Sequence, residues 1–423
     1  MNITKRYIHH SSLIMSRMIP VTKAISIILE KAEPLEAESV PLEEALGRVL
    51  AEEVFADSDL PPFDRAQMDG YAVRSVDLGA APSRLRIVGE AAAGSGWRGT
   101  LRAGEAVRIM TGAPLPSGAD SVQQVELTRE SDDGALVEIE SATEPGQFYV
   151  TRGSEIRAGQ RVLEEGEEIT AARLAVLASF GCARVRVRRR PRVAVLATGT
   201  ELVQVGERPG LDQIRDSNSY SLAAYARLAG AEVERLPFAG DDPELLQKEI
   251  SEAASRADVL VLSGGVSMGR YDFTKTALRA LGAEVFFERV ALRPGKPTVF
   301  ARLPVKRGTL VFGLPGNPVS VSVTFNLFVR AALRAMQGLR RAPALAEETA
   351  VLSRPTKAAA ERASYLPAAL STDDAGRLMA EPLKWGGSSD FVAFAHASAL
   401  VIIPAGAGTL EAGSVVKVVR LPG

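Results

Sequence analysis

An apolar run that ends in two adjacent glycines is the part of this sequence best suited to chemistry. Residues 258–263 are rich in β-branched side chains, Ser263-Gly264-Gly265 closes the run, and a helical pattern starts at Phe273. A strand, a glycine turn and a helix in this order direct unpaired backbone N–H groups toward one point, which favours an anion such as a phosphate. Asp272 stands where the helix N-cap is expected, so its role could also be capping alone.

Polar, turn-forming residues follow the other apolar runs of the same region. Packing alone does not require acidic residues after some of these runs and two cations after another. The segments in question are Thr198-Gly199-Thr200-Glu201, Gly240-Asp241-Asp242, Arg293-Pro294-Gly295-Lys296 and Gly313-Leu314-Pro315-Gly316-Asn317-Pro318. Open α/β sheets bind ligands outside the carboxyl ends of their strands, so these segments are expected to meet around one ligand.

The carboxylates predict a metal as well as a phosphate. Glu201, Asp241 and Asp272 would repel a phosphate ligand unless a divalent cation lay between them, and hard oxygen ligands favour Mg²⁺. Arg293 and Lys296 would neutralise the remaining charge of the ligand. The region contains none of the three histidines, which disfavours a histidine general base and a histidine zinc site.

These loops need a scaffold that brings distant strand ends to one edge. Strand-like and helix-like segments alternate from Val193 to Met336, which predicts βαβ units in a doubly wound, mostly parallel sheet. Residues 85–140 and the tail from Ala342 contain short β-like runs separated by Gly and Pro, which is typical of small β domains. Helices are predicted from Pro20 to Lys31 and, more briefly, from Pro41 to Leu50.

The composition of the chain excludes several classes of protein. At 423 residues the chain is too long for one ordinary core, and a formal net charge of −1 argues against a nucleic-acid binder with a broad basic face. The single cysteine, Cys182, rules out an intrachain disulfide and a cysteine metal site, and indicates a cytoplasmic protein. No apolar run has the length of a signal-peptide core or a membrane span, so neither export nor membrane insertion is expected.

Six motifs occur in a fixed order along the chain. They are Met-Asp-Gly-Tyr-Ala (68–72), Arg-Ile-Met-Thr-Gly-Ala-Pro (108–114), Thr-Gly-Thr-Glu-Leu (198–202), Ser-Gly-Gly-Val-Ser-Met-Gly (263–269), Arg-Pro-Gly-Lys-Pro (293–297) and Gly-Leu-Pro-Gly-Asn-Pro-Val-Ser (313–320). Together they resemble the molybdopterin molybdenumtransferase family, which includes the E domain of gephyrin. The resemblance runs from about Pro20 to the C-terminus. It departs from the family pattern at 153–156, where Gly-Ser-Glu-Ile replaces Gly-Glu-Asp-Ile.

The resemblance implies an enzyme that inserts molybdate into adenylylated molybdopterin and releases AMP in a Mg²⁺-dependent step. It also implies a homodimer, with the active site between the sheet domain of one subunit and the small β domain of the other. The implied fold class is multidomain α/β plus β. Its expected segments are a flexible extension (1–19), an elongated α+β dimerisation region (20–57 and 151–190), a small all-β domain (58–150), an α/β molybdopterin-binding domain (191–340) and a C-terminal β-barrel-like domain (341–423).

Site residues follow from the resemblance, motif by motif. The residues implied to be catalytic are Asp69, Thr111, Glu201, Asp241, Asp272 and Lys296, and the first two come from the small β domain. On its own, Asp69-Gly70 is more typical of a hairpin turn. The residues implied to bind substrate are Thr198, Gly199, Ser217, Asn218, Ser263, Gly264, Gly265, Ser267, Lys275, Arg293, Pro315, Gly316, Asn317, Arg362 and Ser388.

Two other functions remain open at this point. A molybdopterin adenylyltransferase shares the Gly-Gly-Val-Ser type of sheet domain, although such an enzyme would not need the two additional β domains. A scaffold that binds partner peptides, as gephyrin does, would not need acidic residues at the strand ends. Contacts with the adenylyltransferase and with proteins that handle the finished cofactor are further expected partners.

Overall fold

The computed structural model describes residues 18–240, 242–265, 273–305, 308–340 and 344–422. Within this part the chain forms two compact units. The larger unit extends to Ala51, includes Gly166–Thr170 and resumes at Arg184, whereas the smaller unit comprises Glu52–Glu165 and Ala171–Ala183. The strand-end motifs lie in the larger unit, and Asp69 and Thr111 lie in the smaller unit.

The helices, in chain order, are α1 (Val21–Lys31), α2 (Ala171–Ser179), α3 (Asn218–Leu228), α4 (Pro243–Arg256), α5 (Phe273–Ala280), α6 (Pro318–Thr324), α7 (Arg330–Met336) and α8 (Phe391–Phe394). A π-helical segment, Phe325–Val329, joins α6 to α7. The resulting helix, Pro318–Met336, is apolar and long enough to cross a membrane by length and composition, but 89% of it is buried inside the protein. It is therefore the core helix of the larger unit.

The first strands are β1 (Ala37–Pro41), β2 (Val54–Phe55), β3 (Arg65–Ala66), β4 (Gly70–Val73), β5 (Ser83–Ala91), β6 (Glu105–Ile109), β7 (Ser121–Gln124), β8 (Thr128–Glu130), β9 (Leu136–Ile139), β10 (Tyr149–Val150), β11 (Arg161–Leu163) and β12 (Arg184–Arg188). In the smaller unit, a six-stranded sheet has the order β7-β4-β6-β5-β9-β8. Only its β5–β6 pair is parallel. β1 pairs with β12 in the larger unit.

A second six-stranded sheet forms the centre of the larger unit. Its region contains β13 (Arg192–Ala197), β14 (Leu202–Val203), β15 (Ile214–Arg215), β16 (Glu232–Arg235), β17 (Val259–Ser263), β18 (Glu284–Phe287), β19 (Leu292–Arg293), β20 (Val299–Leu303) and β21 (Thr309–Leu314). The strand order is β16-β13-β17-β21-β20-β18. The first four strands run parallel, and β20 is antiparallel to both of its neighbours. The predicted mostly parallel sheet is therefore present, with one reversed strand.

Both faces of this sheet are covered by helices. Val259 and Val261 of β17 pack in a core with α1, α3 and the long helix, whereas Leu260 and Leu262 pack in a second core with α4 and α5. Alternate residues of a strand point to opposite faces. A strand buried on both sides must therefore be apolar throughout, which is why β17 reads as an uninterrupted hydrophobic run.

The C-terminal region is a closed β-barrel. Its strands are β22 (Glu347–Leu352), β23 (Thr356–Lys357), β24 (Ala363–Thr372), β25 (Leu378–Pro382), β26 (Ala399–Ile403), β27 (Thr409–Leu410) and β28 (Val415–Arg420). The order β24-β25-β22-β28-β26 closes because β26 also pairs with β24. The short strand β19, from the sheet region, pairs in parallel with the start of β24.

One predicted element was wrong. The helix expected from Pro41 to Leu50 is instead the end of β1 followed by a 3₁₀ turn, Leu42–Glu44. Gly47 adopts a left-handed φ of 72°, which ends helical structure there, and the backbones of Val49 and Leu50 form bridges to Glu168 and Val187. The five predicted domain segments stay a prediction.

Candidate active site

A cavity of about 1130 Å³ lies at the carboxyl edge of the parallel strands. The ends of β13, β17 and β21 and the starts of α3 and α6 form its wall. Of the predicted site residues, the wall includes Thr198, Gly199, Glu201, Ser217, Asn218, Ser263, Gly264, Gly265, Pro315, Gly316 and Asn317. Four sequence segments that are far apart in the chain thus meet around one space.

The glycine turn after β17 is packed against the neighbouring strand end. Gly264 has a φ of +97°, and a Cβ there would lie 2.4 Å from the carbonyl oxygen of Thr198. Gly265 has a φ of +62°, and its Cβ would lie 2.5 Å from Oγ1 of Thr274. Both the backbone conformation and the close approach require glycine at these positions.

Asn218 connects three of the cavity segments. Its Nδ2 donates to Oγ of Ser263 at 2.9 Å and to the carbonyl oxygen of Gly316 at 2.7 Å. Its Oδ1 is buried and has no hydrogen-bond partner among the described residues. A buried acceptor without a partner is costly, so this oxygen suits a hydroxyl or amino donor on a bound ligand.

Glu201 is the one described member of the predicted magnesium triad. It is exposed on the cavity wall and folds back over Gly199, where a Cβ would lie 2.3 Å from its Oε2. Asp241 and Asp272, and also Ser267, lie outside the described residues. Among the described residues, no three His, Cys, Asp or Glu side chains are grouped to hold a metal ion. One carboxylate on the wall of this cavity fits a magnesium ion that would take its other oxygen ligands from substrate phosphates and water.

The predicted cations are not on the cavity wall. Arg293 is exposed in β19, Lys296 is half-buried, and the wall includes their neighbour Pro297. Gly295 of this loop has a φ of +117°, and a Cβ there would lie 2.5 Å from Cγ2 of Thr324 in the core helix. The loop therefore packs directly against the last residue of α6.

The two remaining predicted cations lie elsewhere in the larger unit. Arg362 donates to the carbonyl oxygen of Leu292 at 3.4 Å, which places it beside β19. Lys275 is buried in α5. A substrate role for these side chains stays a prediction.

The barrel region also contributes to the cavity. Nδ2 of Asn317 donates to Oγ of Ser388 at 2.8 Å, and the backbone N–H of Val319 donates to the carbonyl oxygen of Ser388 at 3.0 Å. Ser389 and Phe391, which follow directly, line the cavity. The tract Gly386-Gly387-Ser388-Ser389 thus meets the start of α6.

In the smaller unit, Asp69 and Thr111 form a hydrogen-bonded pair. Oδ1 of Asp69 accepts from the backbone N–H of Thr111 at 2.7 Å and from its hydroxyl at 2.8 Å. These two bonds, the backbone bond first, lower the pKa of Asp69 below its ordinary value. Oδ2 makes no hydrogen bond to the described residues, so an exposed, ionised oxygen remains available.

The hairpin interpretation of Asp69-Gly70 was wrong. Gly70 begins β4, which pairs with β6 and β7 and not with the preceding β3. A Cβ at Gly70 would lie 1.9 Å from the carbonyl oxygen of Gln123. The glycine permits close packing of strands rather than a tight turn.

The sequence-based predictions did not include four residues of the cavity region. Asp216 accepts hydrogen bonds from the backbone N–H and the hydroxyl of Ser219, at the start of α3. Arg235 donates to the hydroxyl of Tyr220 at 3.2 Å. Phe391 is 50% exposed on the wall. Only Asp216 had a usable signal, since Asp-Ser-Asn immediately precedes a helical pattern and is typical of a helix start.

The fold and the cavity define an α/β domain with a cavity at the carboxyl edge of its parallel strands, joined to a five-stranded barrel. Family models match three stretches of the chain: the MoeA N-terminal region (domain I and II) at 19–181, a probable molybdopterin binding domain at 194–335, and the MoeA C-terminal region (domain IV) at 349–421.

Relatives cover almost the whole chain. A molybdopterin molybdenumtransferase of Nostoc is 36% identical over 92% of this chain and 89% of the relative, and one of Bacillus subtilis is 35% identical over 95% and 94%. Two solved molybdopterin biosynthesis MoeA proteins of Pyrococcus horikoshii superpose with TM-scores of 0.78 and 0.82, at 33% and 26% identity. Each match covers 96% of this chain and all of the solved chain. The chain belongs to the molybdopterin molybdenumtransferase family, which confirms the resemblance seen in its motifs.

Proposed function

We propose that this chain catalyses the insertion of molybdate into adenylylated molybdopterin, with release of AMP. The observation that carries the proposal is the cavity at the carboxyl edge of the sheet. It joins a glycine turn suited to phosphate, a carboxylate on Glu201 and an amide oxygen on Asn218 that has no partner in the described part of the chain. These groups are suited to binding and polarising a substrate.

The roles of the protein's own residues follow from their positions. The Gly264-Gly265 turn receives a phosphate of the substrate, and Asn218 fixes a neighbouring donor group. Glu201, with Asp241 and Asp272, would hold Mg²⁺, which supplies charge stabilisation for the phosphoanhydride that breaks. Arg293, Lys296, Lys275, Arg362 and Ser267 are proposed to contact the anionic substrate or molybdate.

We further propose that a homodimer completes the site. Asp69 and Thr111 are assigned to the active site of the partner subunit, as the family resemblance implies. The exposed Oδ2 of Asp69 supports this role, because its carboxylate is oriented by Thr111 and stays ionised at neutral pH. Close relationship to biosynthetic enzymes and the single cysteine support a cytoplasmic location.

The test uses the purified protein with preformed adenylylated molybdopterin, molybdate and Mg²⁺. The proposal predicts AMP release that depends on molybdate and falls when Mg²⁺ is chelated. A parallel incubation with ATP and unmodified molybdopterin tests the adenylyltransferase alternative. Pyrophosphate production there, without AMP release in the first incubation, would reject the proposed reaction and favour the alternative.

A further inference from the structure

We infer that Tyr220 is a stacking platform for an aromatic heterocycle of the bound substrate, an inference that rests on the proposed function for the substrate's identity. Tyr220 lies in the first turn of α3 and lines the cavity, yet 40% of its surface is exposed. A large aromatic ring that stays partly exposed on a cavity wall gains little stability from its own burial. It offers a π-face to a planar ligand.

The ring is held rigidly by its neighbours. The guanidinium of Arg235 lies 4.0 Å from the ring centroid and donates to the hydroxyl of Tyr220 at 3.2 Å. Arg235 also donates to Oγ of Ser219 at 3.3 Å, and Ser219 is bonded to the buried carboxylate of Asp216. Because these contacts already fix the orientation of the ring, little conformational entropy is lost when a second ring stacks on the tyrosine.

The same contacts indicate which face of the Tyr220 ring is available for stacking. Arg235 covers one face of the ring and is not part of the cavity wall, whereas Tyr220 is. We assign the opposite face, which Arg235 leaves uncovered, to the ligand. A heterocycle bound there would extend a stack of guanidinium, tyrosine and ligand, in which the cation–π contact adds to the stability of the ring's position.

The cavity defines the chemistry of the ligand. The glycine turn that suits a phosphate and the open tyrosine ring lie on the same wall, so the ligand carries a planar heterocycle joined to a phosphate. A pterin phosphate and an adenine nucleotide both have this chemistry. Phe391 is also exposed on the wall, but no described cation lies over its ring and it sits on a helix of only four residues. Tyr220 is therefore the better platform.

The test measures binding rather than turnover. Dissociation constants of AMP, of a pterin carrying a single phosphate and of ribose 5-phosphate are determined by calorimetry for the full chain. Stacking of a base on an aromatic side chain is typically worth a factor of about ten or more in affinity. We expect Tyr220→Leu to weaken at least one of the two heterocyclic phosphates about tenfold, with ribose 5-phosphate unchanged within about twofold.

Tyr220→Phe is the matched control, because it keeps the ring and removes only the hydroxyl bonded to Arg235. It should bind the heterocycles within about twofold of the wild-type protein. The probe that Tyr220→Leu weakens identifies which heterocycle stacks. Unchanged binding of both in Tyr220→Leu, an equal loss for ribose 5-phosphate, or no binding of either to the wild-type protein would overturn the inference. The binding measurements contain no molybdate and do not depend on turnover. If the protein failed to release AMP in the activity assay, the result for Tyr220 would still stand.

Discussion

The two candidate site regions hold their polar groups in position in different ways. At the sheet edge, backbone groups and short polar side chains from four segments surround a preformed cavity. In the smaller unit, one carboxylate, Asp69, is fixed by one threonine on an exposed surface. The first arrangement depends on close backbone packing and has no room for a Cβ at Gly264 or Gly265. The second depends on two hydrogen bonds and on the ionisation of one acid, so mutation and pH should separate the two regions.

The largest effect is expected from Gly264→Ala. The left-handed backbone and the 2.4 Å approach to the carbonyl oxygen of Thr198 force the turn to move. Displacement of a binding group by about 1 Å can reduce turnover about 100-fold, and we expect a loss of that size in AMP release. Gly206→Ala is the control, since a Cβ there meets nothing within 4 Å. Equal activity of the two variants would contradict the role of the turn.

A smaller loss is expected from Asn218→Ala. The change removes the hydrogen bonds to Ser263 and Gly316 and frees three segments of the cavity. We expect about a tenfold higher dissociation constant for AMP and a decrease of about 1–2 kcal/mol in the free energy of unfolding. Calorimetry and urea denaturation provide the two values. A stability loss without any change in AMP binding would make Asn218 a structural residue only.

The smaller unit should respond to pH through Asp69. Its pKa is lowered in the folded state, so the stabilisation from the Thr111 bonds is present above the ordinary aspartate pKa. It is lost as the pH falls through the lowered folded pKa. Thr111→Val removes the hydroxyl bond and keeps the backbone bond. It should therefore raise the pKa of Asp69 only part of the way toward the ordinary aspartate value. NMR titration of the carboxyl carbon measures this, and an unchanged pKa would show that the hydroxyl contributes nothing.

The smallest effect is expected where the barrel meets the sheet. Ser388→Ala removes the partner of Asn317 but leaves the backbone bond from Val319. We expect the free energy of unfolding to decrease by less than about 1 kcal/mol and the AMP affinity to change about twofold. A tenfold loss of affinity would instead indicate direct contact between Ser388 and the ligand.

The sequence predicted the cavity better than the cations around it. Gly264, Gly265 and Gly316 follow apolar runs, and the rule that ligands collect at strand ends then places them together. Arg293 was predicted from the same rule, yet Leu292–Arg293 pairs with β24 of the barrel. Pairing between regions far apart in the chain leaves no periodic signal in either one.

Arg235 and Phe391 illustrate the same limit. Arg235 reaches Tyr220 because β16 lies beside β13 in the sheet, and strand order cannot be read from local patterns. Phe391 reaches the cavity through the contact between the barrel loop and α6. The sequence pattern also predicts a hairpin-like pair at 298–302 and 309–312, and β20 does pair with β21 in the antiparallel direction.

A crystal structure with AMP, molybdate and Mg²⁺ tests the central claim most directly. The account predicts AMP in the cavity between the ends of β13, β17 and β21, with its phosphate at the Gly264-Gly265 turn. AMP bound at a different surface, with this cavity empty at saturating concentration, would contradict it.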